Sequence, residues 1–223
     1  MKTVILSLCA IFFSLNLQAQ AETETSKDSK YESYMKETLA LYDSVKTLSD
    51  YQEIVNRFDR IASAESKEWL PLYYAGLTNI YMSFVNGLES EQRDDYLEKA
   101  LEYVNRAEAL EGESSEIVLL RGYVFMAKVS VNPAIRGMTL SGKVSALFAK
   151  ALEIDPKNPR ANLMVGRWKY GSAQFFGSST DEACAYMQKA LAIYKNQPES
   201  NSIEPSWGEN QAQQMSERCL GKE

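Results

Sequence analysis

The sequence predicts an all-α protein built of stacked helix pairs, and three observations predict it. Apolar residues recur at three- and four-residue spacing between Tyr31 and Leu191, the period of one helix face. Four segments carry a matching apolar stripe: Ile54, Phe58 and Ile61; Ala100, Val104 and Ala107; Val144, Phe148 and Ala151; and Ala183, Met187 and Ala190. A glycine follows the central residue of three of these stripes at a constant 18 positions, at Gly76, Gly122 and Gly166. Glycine inside a helix costs up to about 1 kcal/mol relative to alanine. Three placed so regularly indicate close helix–helix approach, expected against the stripe of the preceding pair.

Before the array comes a segment that is not part of it. Lys2 is followed by an apolar run, Val4 to Leu17, and then by the small residues of Ala19-Gln20-Ala21. This reads as a signal peptide over residues 1–21, cleaved after Ala19 or Ala21. The run is shorter than the roughly 20 apolar residues that a membrane helix needs. Cys9 follows Leu8 rather than a small residue, which argues against a lipoprotein attachment site. A polar linker, 22–30, leads into the helices, and no later segment is long and apolar enough to span a membrane. The expected location is the periplasm or the extracellular space, with no integral membrane segment after cleavage.

Helical repeats are expected over residues 31–195. From the small-residue position to the stripe of the same pair the distance is 12 from Tyr42 to Ile54, 24 from Gly76 to Ala100, 22 from Gly122 to Val144 and 17 from Gly166 to Ala183. Three pairs therefore carry insertions between their own helices, at Ser83–Arg93, Asn132–Gly142 and Gly171–Ser179. Such insertions emerge along one edge of a repeat array and are expected as loops of a binding rim.

The stretch from Phe148 to Ala161, FAKALEIDPKNPRA, stops a helix at Asp155-Pro156 and restarts one at Asn158-Pro159. It resembles the tetratricopeptide repeat family, as does Asp50-Tyr51 ahead of Ile54. The resemblance spans roughly residues 35–195 and departs from the pattern at Tyr42, where a small residue would stand. It implies a right-handed helical-repeat solenoid of about four tetratricopeptide-like pairs, with a concave groove lined by each pair's first helix. In this sequence that selects Tyr73, Leu77, Ile80 and Tyr81, then Leu119, Tyr123 and Met126, then Arg160, Leu163, Arg167 and Tyr170.

Residues 196–223 read as a loop and a C-terminal capping helix. Ser206 and Glu209 have the spacing of a capping box, so the helix is expected over about Trp207 to Leu220, lying on the end of the last pair. The opening Pro205-Ser206-Trp207-Gly208 resembles exported repeat proteins of Bacteroidetes-type bacteria. Cys184 and Cys219 form an even pair and hence a candidate disulfide, two unpaired thiols being the alternative.

Composition removes whole classes of function. The net charge is −6, and −7 once Lys2 leaves with the signal segment, so a nucleic-acid partner is not expected. With no histidine there is no Ser-His-Asp set and no imidazole metal ligand. No cofactor, no metal and no catalytic residue are assigned, and the chain is not expected to be an enzyme. Gly137 to Lys143 has the spacing of a phosphate-binding loop, but Val144 stands where a hydroxyl is needed and the segment reads as a flexible insertion. Ser33-Tyr34-Met35-Lys36 matches Ser-x-x-Lys by chance, since the Lys-Thr-Gly strand of penicillin-recognising enzymes is missing. Asp94-Asp95 and Asp181-Glu182 sit where helix starts favour negative charge.

What is left is recognition. The expected function is an exported interaction module that grips a peptide or protein partner through Tyr73, Leu77, Tyr81, Tyr123, Met126, Arg160, Arg167 and Tyr170, tyrosine and arginine being frequent binding anchors. The alternative is an accessory protein of a transport system that binds a small apolar ligand in a pocket lined by Tyr73, Tyr123, Tyr170 and Phe175. Phe175-Phe176-Gly177 and the Ala183–Ala190 region resemble helical-repeat accessory lipoproteins of transporters. Trp168, Phe175 and Phe176 are otherwise expected to pack.

Overall fold

A computed structural model describes residues 30–198 and 202–221, and every regular element among them is helical. The signal peptide read at 1–21 and all but the last residue of the linker lie outside the described residues. The chain divides after Ser44 into two compact units. In the first, helix α1 covers 30–40 and runs into a 3-10 turn, Leu41–Ser44, that contains Tyr42. Its surface carries the i,i+4 pair Lys36–Glu32, and Thr38 bonds the carbonyl of Tyr34.

The second unit holds α2 (Leu48–Ala64), α3 (Leu70–Ser83), α4 (Ser90–Glu111), α5 (Ser115–Val131), α6 (Pro133–Ile154), α7 (Pro159–Phe176), α8 (Asp181–Lys195) and α9 (Glu209–Cys219). Local chemistry sets many of the starts. Thr47 and Asp50 close a capping box on α2, and Asn158 accepts the Ala161 N–H with Pro159 in the first turn of α7. Helices α3–α4, α5–α6 and α7–α8 form three successive hairpins, with α2 against α3 and α9 against α8. Helix α3 is buried along nearly its whole length and is accordingly apolar on every side. Its buried Thr78, Asn79 and Ser83 satisfy themselves on carbonyls of their own helix.

The repeating glycines occupy one equivalent setting, but not the expected one. Gly76 faces Ala100 and Tyr103 of α4, Gly122 lies under Phe148 of α6, and Gly166 meets Ala183 and Met187 of α8. Each glycine thus meets the stripe of its own hairpin, not that of the preceding pair. The approach is closest at Gly122, where a Cβ would stand 2.6 Å from the Phe148 ring. The constant spacing reflects short connections between hairpins, while the close contact is made inside each one, crowding a Cβ at Gly122 and Gly166 but not at Gly76.

The insertions also differ from the expected loops. Asn132–Gly142 is the cap and opening turns of α6, including the whole of Gly137 to Lys143, so no phosphate cradle forms there. Gly171–Ser179 extends α7 to Phe176 before a short turn from Gly177 to α8, and Ser83–Arg93 contains the turn before α4. The glycines at 137, 142 and 171 keep helical backbones, and no proline interrupts either helical segment after its first turn. The added residues therefore lengthen α6 and α7 instead of looping out.

Candidate functional site

The face expected as an open groove is filled by the chain's own C-terminal segment. Tyr73 and Leu77 are buried, Tyr123 is 3% exposed and Arg160 8% exposed. At the centre lies Glu116 on α5. Its Oε1 accepts from Arg160 Nη2 at 2.7 Å, Arg160 Nε at 2.9 Å and Asn158 Nδ2 at 2.6 Å, while Oε2 accepts from the Tyr73 hydroxyl at 2.8 Å. Burial would depress the Arg160 pKa, but the adjacent Glu116 carboxylate outweighs it and holds the guanidinium charged. Burial, reinforced by the Glu116 charge, pushes the Tyr73 hydroxyl well above its ordinary range.

The tail is gripped as a peptide would be. Tyr74 donates to the carbonyl of Ile203 at 3.0 Å, and Tyr194 to that of Trp207 at 2.7 Å. The Trp207 indole N–H donates to the Tyr73 oxygen at 2.9 Å, and its ring lies 6.0 Å from that of Tyr123. Gly208, at φ 109°, makes the turn that follows, and a Cβ there would stand 2.5 Å from the Tyr194 oxygen. Helix α9 therefore starts at Glu209 without a side-chain cap, in place of the expected Ser206–Glu209 box. Cys184 and Cys219 are bonded and fasten α9 to α8. The segment is more than an end cap, since it reaches from α3 to α8. Of the other expected groove residues, Tyr81 is half-buried beside Tyr51, and Met126, Arg167 and Tyr170 are half-buried.

A second concave surface is open. Where the lengthened α6 and α7 pass the end of α5, they enclose a cleft of about 590 Å³. Its walls are apolar: Met126 and Val129 on α5, Met138 on α6, and Trp168, Phe175 and Phe176 on α7. Met138 is 84% exposed, Phe175 68% and Phe176 78%, and the two phenylalanine rings meet edge to face at 5.0 Å. Gly137 and Gly171 leave open space on its walls. Trp168 is held by an indole N–H bond to Ser145 at 2.9 Å. Among the described residues, Arg167 is the one charged side chain lining the cleft. Across α7, a neighbouring depression of about 550 Å³ shares Trp168, Ser172 and Phe176 but is more polar, with Lys169 paired to Glu182.

Among the expected site residues, Met126, Arg167 and, from the alternative small-ligand pocket, Phe175 reach this cleft, whereas Tyr73, Leu77, Tyr123 and Arg160 serve the core and the tail. Met138, on its α6 wall, was not among the sequence candidates. The available signal was a pair of large apolar residues, Phe175-Phe176, and a lone Met138 inside segments with no stripe to join. Among the described residues no group of histidine, cysteine, aspartate or glutamate could hold a metal ion, and no helix is long and apolar enough to cross a membrane.

Fold and cleft together define an all-helical protein of stacked hairpins whose open concavity is apolar. No protein-family model and no curated protein matches the chain. Among solved structures it is similar to the HusA haemophore from Porphyromonas gingivalis, at 33% identity and a TM-score of 0.76, over 86% of this chain and 94% of that one. At that identity and coverage, the chain belongs to the family of this haemophore.

Proposed function

We propose that the protein is an exported carrier of a flat, apolar small molecule of the porphyrin class, held in the cleft between α5, α6 and α7. The observation that carries this reading is the cleft itself: about 590 Å³ in volume, walled by Met138, Trp168, Phe175 and Phe176, with the phenylalanines left exposed. That volume lies within the roughly 300–1,000 Å³ of ligand pockets, and aromatic walls suit a planar macrocycle. Kinship to a haemophore supports the ligand class, and the disulfide agrees with an oxidising compartment. We read the ligand as cargo and the protein as its binder, on a cleft lined mostly by apolar side chains. A partner peptide in the concave groove is the weaker reading, because the tail already takes the place such a peptide would need. We also read the hairpin succession as tetratricopeptide-like, on the equivalent settings of Gly76, Gly122 and Gly166.

Without histidine no imidazole can ligate iron, and we read recognition as acting on the macrocycle through the apolar walls. Metal-free protoporphyrin IX and haemin should therefore both bind, followed by absorbance and by quenching of tryptophan fluorescence. Met138→Asp, which sets a charge on the apolar wall without touching the core, should weaken both about tenfold or more. Failure of the unmodified protein to bind either compound would remove the proposal.

A further inference from the structure

We infer that Arg167 selects ligands that carry a carboxylate, and that Gln211 of the tail positions it to do so. This rests on the porphyrin-class reading of the cleft and adds what the apolar walls cannot supply, a preference among ligands of one shape. Arg167, on α7, is the one charged side chain among the residues lining the cleft, beside the hydroxyls of Ser130, Ser141 and Ser172. Arg167 Nη1 donates to Gln211 Oε1 at 2.9 Å and lies 3.7 Å from the Met164 sulfur, while its guanidinium sits 5.7 Å from the centre of the Tyr123 ring.

What it lacks is an acid. Among the described residues no carboxylate pairs with Arg167, although Arg121, Arg136 and Arg160 are each paired, with Glu108, Asp94 and Glu116. Among those same residues only Nη1 is engaged, so Nε and Nη2 keep their donors for another acceptor. A half-buried guanidinium braced on a neutral amide and an aromatic face is fixed in place but not neutralised. Arginine's planar fork suits a carboxylate bound through two parallel bonds, and such charge-assisted bonds are about twice as strong as neutral ones. Beyond closing the groove, the tail thereby presents the guanidinium to the cleft while leaving its charge unmatched. The ligand class is thus a planar apolar body with an acidic edge, the body against Phe175 and Met138 and the edge at Arg167.

The test compares protoporphyrin IX with its dimethyl ester, which has the same ring and no carboxylate, in the same cosolvent. The unmodified protein should bind the acid at least about tenfold more tightly than the ester. A purely apolar cleft would bind the ester equally or better, so the sign of the difference decides. Arg167→Met should bring the acid down to the affinity of the ester and leave the ester nearly unchanged. Gln211→Glu keeps the guanidinium but supplies the missing acid within the fold, and should erase the preference with the thermal midpoint unchanged or raised. A structural role alone would weaken both compounds together and leave their ratio intact. Equal binding of acid and ester by the unmodified protein, or a preference that survives both substitutions, overturns the inference while the carrier reading stands. If neither compound binds, both fall.

Discussion

Two concave surfaces of the Val45–Glu223 unit are lined by similar residue types and meet opposite fates. Along α3, α5 and the start of α7, Tyr73, Tyr123 and Arg160 are buried; Glu116 and Trp207 bond Tyr73, Glu116 pairs with Arg160, and Tyr74 and Tyr194 donate to carbonyls of the tail. Around the free ends of α6 and α7, Met138, Phe175 and Phe176 stand mostly exposed, with none of the described residues covering them. Burial of large apolar side chains is the main driving force of folding, at about 25 cal/mol per Å². Three such residues left in water on one cleft are a standing cost to the folded chain, whereas the tail groove is a completed interface. Aromatic and arginine content therefore does not mark a recognition surface by itself; what marks it is the absence of an intramolecular partner.

The sharpest way to break this comparison is Glu116→Ala. Removing one member of a buried ion pair strands Arg160 and costs about 3–5 kcal/mol. In a domain of this size that corresponds to a fall of roughly 10 °C in the thermal midpoint. Protoporphyrin affinity measured well below the new midpoint should stay within about threefold of the original. A variant that melts normally but no longer binds the porphyrin would place the Glu116 network in the ligand site, and the two surfaces would be one.

A somewhat smaller effect is expected from replacing Cys184 and Cys219 together by serine. The bond closes a loop with a sequence separation of 35. The loop-entropy argument assigns it about 3–4 kcal/mol. Calorimetry of the double variant, or of the reduced protein, should show that loss, with faster hydrogen exchange over Ile203 to Cys219. Dimethyl-ester binding should persist, because none of the described residues that wall the cleft belongs to the tail. Slow exchange over the tail in the double variant would mean that Trp207 and the tyrosine bonds hold it without the staple.

Much of the scaffold was legible because its causes are local. The stripes on α2, α4, α6 and α8, the Asn158-Pro159 restart and the pairing of the two cysteines each depend on a few residues at short range or on a parity argument. The fate of the groove was not legible, since Tyr73 and Trp207 meet across 134 positions and no periodicity announces a tail that doubles back to α3. Gly208 was the local clue to that turn, and it reads from sequence as an ordinary helix-start residue. The cleft stayed hidden for a different reason. Insertions with several glycines look like loops, yet Gly137, Gly142 and Gly171 face open space, where a helix tolerates them at about 1 kcal/mol each. Once those segments are helical, Met138 and Phe176 are carried out beyond the hairpin core, and the cavity follows.

The smallest expected change in stability, and the one that most sharpens the contrast, belongs to Phe176→Ser. The side chain is 78% exposed, so the thermal midpoint should shift by no more than about 0.5 kcal/mol would give. Its ring nevertheless lies edge to face with Phe175 and lines both depressions beside α7. Losing one aromatic wall of a stacking site should weaken protoporphyrin IX by roughly three- to tenfold, from the 0.5–1.5 kcal/mol of an aromatic pair. A residue that folding does not need and the ligand does is the signature expected of an open site. The opposite pattern, a loss above about 2 kcal/mol in stability with unchanged affinity, would mean that Phe176 is packed in solution against a surface such as a second copy of this chain. The cleft would then be as fully partnered as the groove, and the porphyrin would have to bind elsewhere.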